Sequence, residues 1–285
     1  MAFLPVAILK EKSTMSAQTA AHLVDHDPLS KGGPDGVRHY VIGDIHGLLS
    51  VLDALLDEIR ADMARNPVAE ARIISLGDMV DRGPQSKEVV ARLMNPPGDL
   101  PPVSVVKGNH EAQLLAFLDD TPVHPWWMGA SGGGSETLRS YGVTPPAGYG
   151  EDAVPPEEWA RARADALAVF PPEHDRFLRS LPTSIRSGDL LFVHAGVDPS
   201  RPFSAQQDED LLWIREPFLS STESWDFFVV HGHTPRPVVE RSALRLGVDT
   251  GAYLGGTLTA AVIEGRDIRL LSVPGQKVAT RTTWR

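Results

Sequence analysis

Five short apolar runs in this chain each stop at residues able to bind a metal or move a proton. Tyr40-Val41-Ile42 runs into Gly43-Asp44-Ile45-His46, and Ile73-Ile74-Ser75-Leu76 into Gly77-Asp78-Met79-Val80-Asp81-Arg82-Gly83. Val103-Ser104-Val105-Val106 precedes Gly108-Asn109-His110-Glu111. Leu190-Leu191-Phe192-Val193 precedes His194, and Phe227-Phe228-Val229-Val230 precedes His231-Gly232-His233. Taken singly, each has a plain reading. Asp44 or Asn109 can cap a following helix, Asp81 and Arg82 can pair within a turn, and His194 can be a satisfied core histidine. Taken together, carboxylates, an amide and imidazoles at consecutive strand ends describe a divalent-metal site. Imidazole mixed with carboxylate suits manganese, iron or zinc better than magnesium or calcium. A carboxylate shared by two ions suits a pair ~3.5–4 Å apart.

Composition bounds the alternatives. The chain has 285 residues and no cysteine, which removes thiolate metal sites, disulfides and cysteine nucleophiles together. Its net charge of −10 argues against a nucleic-acid partner, because a phosphate backbone needs a basic footprint. No apolar run approaches the ~18–20 residues of a membrane helix, and no membrane partner is expected. In MAFLPVAIL the positive charges follow the apolar stretch, opposite to a secretory signal. A cytoplasmic location is therefore expected. Oligomeric state is left open.

The elements that must position these residues alternate. β-branched runs bounded by glycine predict buried strands. Leu48 to Arg60 carries Leu48, Val51, Leu52, Leu55, Leu56 and Ile59 on one helical stripe. Ser86 to Met94 and Glu111 to Leu118 predict two more helices. The expected fold is α/β, a central β-sandwich of two mixed sheets flanked by helices, with ligands at the carboxyl ends of the strands. Leu244–Leu246, Thr257–Ile263 and Ile268–Val273 predict strands that finish the second sheet as a meander. Residues 1–36 are read as a flexible tail, and 37–285 as one domain. Residues 121–182, rich in proline and holding a helical stretch from Trp159 to Phe170, are read as a cap insertion or a plain helical connection. Trp126 and Trp127, ahead of Gly132-Gly133-Gly134, either shape an entrance or pack in the core. The acidic run 208–210 reads as a solvated turn, and the basic residues 277–285 as an exposed tail.

GDIHG at 43–47, GDMVDRG at 77–83, GNHE at 108–111, HAG at 194–196 and GHT at 232–234 resemble the calcineurin-like metallophosphoesterases. The order and spans are similar to the phosphoprotein phosphatase branch, of the bacterial, bacteriophage lambda type. Leu212–Glu216 and Asp249–Ala252 also resemble segments of that group. The resemblance covers about residues 38–265. It implies that Asp44 and His46 hold a first metal, that Asp78 bridges, and that Asn109, His194 and His233 complete a second. It implies His110 as general acid with Asp81 orienting it, and Arg82 and Arg215 as clamps on the phosphoryl oxygens. The implied chemistry is in-line attack by a metal-bridging hydroxide, because two cations lower the pKa of a shared water. A leaving alkoxide needs a proton that histidine can give, and arginine presents a fork matched to phosphate.

Many phosphodiesterases of the superfamily carry Gly-His-x-His; here Pro235 stands at the second histidine, which favours the phosphatase branch. The implied activity is a phosphomonoesterase for serine and threonine phosphate, and also tyrosine phosphate, in proteins, with two manganese ions expected. The alternatives are a diadenosine tetraphosphate hydrolase, a broad phosphatase for small phosphoesters, or a binding scaffold on a degenerate fold. The last would have lost ligands, and none is missing. His231 receives no role.

Overall fold

A computed structural model describes residues 28–129, 131–146 and 155–278. Most of the expected N-terminal tail and nearly all of the basic C-terminal tail lie outside them.

The first parallel unit follows the hydrophobic pattern. β1 (Val37–Ile42) leads into α1 (Leu49–Arg65), β2 (Glu70–Ser75), α2 (Ser86–Met94), β3 (Val103–Val105) and α3 (Asn109–Leu118). α1 runs one turn past the expected Arg60. Asp62, on that added turn, is buried and anchors it. Its carboxylate accepts Tyr40 Oη at 2.7 Å, Asn66 Nδ2 at 2.9 Å and Arg269 Nη1 at 2.6 Å. Next come α4 (Gly134–Ser140), α5 (Pro156–Val169) and α6 (Pro172–Ser180), then β4 (Ser184–Ser187), β5 (Leu190–Val193), α7 (Asp208–Trp213) and β6 (Phe228–His231). The chain closes with β7 (Glu240–Arg241), β8 (Arg245–Gly247), β9 (Thr257–Glu264) and β10 (Asp267–Pro274).

Among the described residues, ten strands form two five-stranded mixed sheets, ordered β10-β9-β1-β2-β3 and β4-β5-β6-β8-β7. β1, β2 and β3 are parallel, as are β5, β6 and β8. Strand alternation separates the core into layers. Val41, Ile74, Ala261 and Ile263 face Leu190, Phe192, Phe228 and Val230 between the sheets. Tyr40, Ile42, Ile73 and Val262 point the other way, onto α1, α2 and α3. Leu191, Val193 and Val229 cover the outer face of the second sheet with Leu211 and Phe218.

The expected meander completing the second sheet is corrected. Of the three expected strands, only β8 joins that sheet. β9 crosses over and pairs antiparallel with β1, Tyr40 opposite Val262, and β10 pairs with β9. The six central residues of β9 are buried on both faces, which suits a position between β1 and β10 rather than a solvated edge. The described part of the expected tail is also laid down. Leu29 is fully buried between the sheets, and the Leu29 and Gly33 N–H groups donate to the Arg266 and Gly265 carbonyls at 2.8 Å. One buried leucine and these backbone bonds, with those that the Gly32 and Gly36 carbonyls accept from the Asp189 and Glu70 N–H groups at 3.1 Å, hold an otherwise loop-like stretch.

Replacing Asp62 by Ala strands Tyr40 Oη and Arg269 against the base of α1. An equilibrium urea titration is expected to show a loss of about 2–3 kcal/mol.

Candidate metal centre

The carboxyl ends of the two parallel strand sets meet in one crevice. β1, β2 and β3 deliver Asp44, Asp78 and Asn109; β5 and β6 deliver His194 and His233. Backbone bonds tie the two sides together. Gly232 N–H donates to the His194 carbonyl at 2.8 Å, and His233 N–H donates to both Asp44 oxygens at 3.2 and 3.1 Å.

The loops reach this geometry through strained backbone. Among the described residues, six that are not glycine have positive φ. Five of them are His46, Asp78, Asp81, Arg82 and His233. Each costs on the order of 1 kcal/mol in this region, so the packing around them must hold them there. Glu111 does much of that holding. It is fully buried and accepts the N–H groups of Gly108, Asp78, Met79 and Val80 at 2.8–3.2 Å. One carboxylate thus fastens the loop after β3 to the loop after β2. The loops approach so closely that a Cβ on Gly108 would lie 2.2 Å from Asp78 Oδ1.

Asp78 sits at the middle. Its Oδ1 lies 3.4 Å from His194 Nε2, and its Oδ2 lies 3.6 Å from His46 Nε2 and 3.8 Å from His110 Nε2. Two groups able to hold a metal share it: His46, Asp78 and His110, and Asp78, His194 and His233. The second brings together three residues of the expected set, and Asn109 Oδ1 lies 2.8 Å from His194 Nε2 and 3.0 Å from His233 Nδ1. The first joins His46 and Asp78 with His110 and does not include Asp44, which is in the crevice, held on the His233 amide.

The donor chemistry fits cations. His194 Nδ1 donates to the Leu76 carbonyl at 2.8 Å, and burial pushes its pKa down to about 4, so the ring is neutral. Its Nε2 is then a lone pair, yet it faces Asn109 Oδ1 and Asp78 Oδ1, two further acceptors. A cation would join all three. His46 is fixed in the same tautomer, with Nδ1 donating to the Val80 carbonyl at 3.0 Å and Nε2 turned inward. This is the outer hydrogen bond typical of ligating histidines. The buried side-chain atoms without a hydrogen-bond partner include His233 Nε2 and Asp249 Oδ2.

The remaining predicted residues surround this cluster. Asp81 Oδ2 accepts His110 Nδ1–H at 2.6 Å and Trp127 Nε1–H at 2.7 Å, while its Oδ1 accepts the Thr137 hydroxyl at 2.5 Å. Arg82 lies between His46 and His110, Nη1 2.6 Å from one Nε2 and Nη2 3.1 Å from the other. Its guanidinium stands 4.0 Å over the Tyr253 ring. Arg82 and Arg215 both line the open cleft above the cluster, and Arg215 has no ion-pair partner among the described residues. Desolvation and the nearby Arg82 charge both lower the pKa of Arg215.

The two readings of the tryptophan pair divide between them. Trp127 is fully buried against Phe117 and anchors Asp81. Trp126 lines the cleft. His231 joins neither metal group. It is buried beneath Arg245, which with burial pushes its pKa down to about 3, and it packs edge-on to Phe218. The acidic run 208–210 opens α7, where Asp210 Oδ2 accepts the Gln207 N–H at 2.8 Å.

Sequence reasoning missed three residues. Asp249 follows β8 as the other acids follow their strands, and it is buried at the site. Glu111 was quoted within its motif but given no work. Tyr253 supplies the face under Arg82 and an edge contact to His46, centroids 4.9 Å apart.

The comparisons with known proteins agree with this geometry. The calcineurin-like phosphoesterase family model matches residues 37–257. A Salmonella typhimurium protein named serine/threonine-protein phosphatase 1 is 30% identical over 80% of this chain and 93% of its own length. A Halalkalibacterium halodurans asymmetrical bis(5'-nucleosyl)-tetraphosphatase is 25% identical over 83% of this chain and 94% of its own. A crystal structure provisionally described as a diadenosine tetraphosphatase shares the fold, with TM-score 0.58 and 24% identity over 85% of this chain and 99% of that one. The chain belongs to the calcineurin-like phosphoesterase family, hydrolases of phosphoester bonds.

Without metal, desolvation chiefly, countered in part by Arg82, pushes Asp78 up to about 7. Desolvation and the Asp78 charge push Glu111 up to about 7 as well. A cation entering near neutral pH must therefore displace the Asp78 proton. Calorimetric titration with manganese is expected to show affinity rising as pH goes from 6 to 8, by up to about tenfold per unit for one displaced proton. Proton release should vary with buffer ionisation enthalpy.

Proposed function

We propose that this protein is a two-metal phosphomonoesterase acting on phosphoserine and phosphothreonine, and also phosphotyrosine, in proteins. The observation that carries the reading is the hydrogen-bonded Asp81–His110 pair beside Arg82, with Arg215 lining the same cleft over the lone-pair cluster. Phosphate recognition, proton donation and metal binding thus share one crevice. The match at 30% identity to a protein named as a serine/threonine phosphatase, against 25% for the tetraphosphatase relative, supports the same reading. Manganese is the proposed metal, with iron or zinc as substitutes, and the cytoplasm the proposed location.

Asp44, His46, Asp78, Asn109, His194 and His233 would hold the two ions. Bound there, the ions supply a water acidic enough to attack phosphorus near neutral pH and positive charge toward the phosphoryl oxygens. The chain's own residues do the rest. Arg82 and Arg215 receive the phosphoryl oxygens. Arginine stays charged and presents paired donors to them. The Tyr253 face keeps the Arg82 guanidinium beside the cluster. Asp81 holds His110 by Nδ1–H, so that Nε2 points into the cleft. From there His110 gives a proton to the leaving oxygen. Burial and Arg82 press the His110 pKa down. A bound phosphate dianion opposes that charge and favours the protonated ring the step needs. Trp127 and Thr137 fix Asp81 and thereby the imidazole.

The dinucleoside tetraphosphatase relative makes the competing substrate concrete. On manganese-loaded protein, kcat/KM for a phosphothreonine peptide is expected to exceed that for diadenosine tetraphosphate. The reverse order would move the function to nucleotide hydrolysis.

Replacing His110 by Asn removes the proton donor. Turnover of a phosphothreonine peptide, whose alkoxide leaves poorly, is expected to fall by about 10²–10⁴-fold. Turnover of p-nitrophenyl phosphate, whose leaving group needs no proton, should fall far less. An equal fall on both would assign His110 to binding rather than to acid catalysis.

A further inference from the structure

Two half-buried indoles stand where a leaving group must pass, and neither has a part in the chemistry derived above. The Trp126 ring centroid is 5.0 Å from that of His110, and the Trp213 centroid is 6.4 Å from that of His233. The two indoles meet at 5.8 Å and 69°, forming a corner that presents a face and an edge. His124 braces both rings, its centroid 5.6 Å from Trp126 and 6.2 Å from Trp213. Tyr253 and Leu254 line the same cleft, whose volume is about 690 Å³ including its open mouth.

The corner is held in place. The Gly129 N–H donates to the Trp126 carbonyl at 3.0 Å. The Gly132 backbone lies flat against the Trp126 ring, where a Cβ would come within 2.4 Å of Cε3. The glycine run noticed in the sequence is what lets Trp126 take this pose.

We infer that Trp126 and Trp213 form a slot for a flat aromatic ring joined through oxygen to the phosphorus, so that among its phosphomonoester substrates the enzyme binds aryl phosphates such as phosphotyrosine best. The inference rests on the phosphomonoesterase reading. With the phosphoryl group on Arg82 and Arg215 and the leaving oxygen at His110, the first atoms beyond that oxygen meet Trp126. A phenyl ring there can stack offset on one indole and meet the edge of the other, the two arrangements aromatic rings prefer. The short aliphatic carbons of phosphoserine or phosphothreonine do not span the corner. A dinucleoside polyphosphate carries its bases behind sugars and further phosphates, away from the scissile phosphorus. In the reaction the P–O(aryl) bond breaks, phosphorus gains the oxygen of water, and the phenolate takes the His110 proton.

The test is inhibitor binding, which needs no turnover. Benzylphosphonate and cyclohexylmethylphosphonate each put a CH2 where the ester oxygen stands and have the same carbon count, and only one carries a flat ring. Calorimetry on manganese-loaded protein is expected to give benzylphosphonate about threefold or more the affinity of the cyclohexylmethyl analogue. Trp126→Leu and Trp213→Leu should each bring the ratio toward one, and Trp126→Phe should keep most of it. A ratio of one in the wild type, or one unchanged in both leucine variants, overturns the slot. If a leucine variant fails to fold, the wild-type ratio and the Phe variant still decide. Aryl-selective binding without turnover of any phosphomonoester would keep the slot and remove the esterase reading. Phosphopeptide turnover without aryl selectivity would do the opposite.

Discussion

The rest of this structure depends on a concentration of acceptors that outnumber their donors. Around Asp78, the lone pairs of neutral imidazoles, an amide oxygen and carboxylate oxygens converge within hydrogen-bonding or near-bonding distance, with Arg82 the neighbouring donor to His46 and His110. Buried polar atoms normally find partners, and leaving them unpaired is costly. The fold keeps this arrangement because every histidine whose outer nitrogen is fixed turns its free nitrogen inward. His194 is fixed by the Leu76 carbonyl and His46 by the Val80 carbonyl. Divalent cations convert the same repulsion into coordination. The site is built for charge that the polypeptide itself does not carry.

Keeping such a cluster assembled requires rigidity from outside it. The left-handed backbone at His46, Asp78, Asp81, Arg82 and His233 is unfavourable for those residue types. Glu111 offsets part of this by collecting four amides, and the Ser86 and Thr137 hydroxyls by accepting the Asp81 N–H at 3.0 and 2.8 Å. The segment between the two halves of the fold is integral to the site. Its Trp127 and Thr137 clamp Asp81, and its Trp126 walls the cleft. The same stretch supplies both rigidity at the acid and shape at the entrance.

Much of this was legible because the chemistry sits at strand ends. A buried parallel strand announces itself by a β-branched run, and the polar residue that follows must occupy the carboxyl edge. Asp44, Asp78, Asn109, His194 and His233 were therefore readable from local pattern, as was the two-sheet sandwich. Asp249 obeys the same rule but escaped it, because β8 is three residues long and begins with the charged Arg245. The placement of β9 and β10 beside β1 was not readable. Alternation tells which face is buried, and pairing partners are chosen by distant surfaces. The bond from Trp127 to Asp81 spans 46 positions and leaves no local trace. Glu111 looked like an ordinary first-turn acid of α3; only the approach of the neighbouring loop makes it a fastener.

The central claim is that Asp78 is shared by two cations. Electron paramagnetic resonance on chelator-treated protein, reloaded with two equivalents of manganese, tests it most directly. Two ions bridged by one carboxylate lie close enough to couple. The account predicts the multiline signal of an exchange-coupled pair, replaced by a mononuclear spectrum in Asp78→Asn. A wild-type spectrum of isolated manganese at every loading would contradict it.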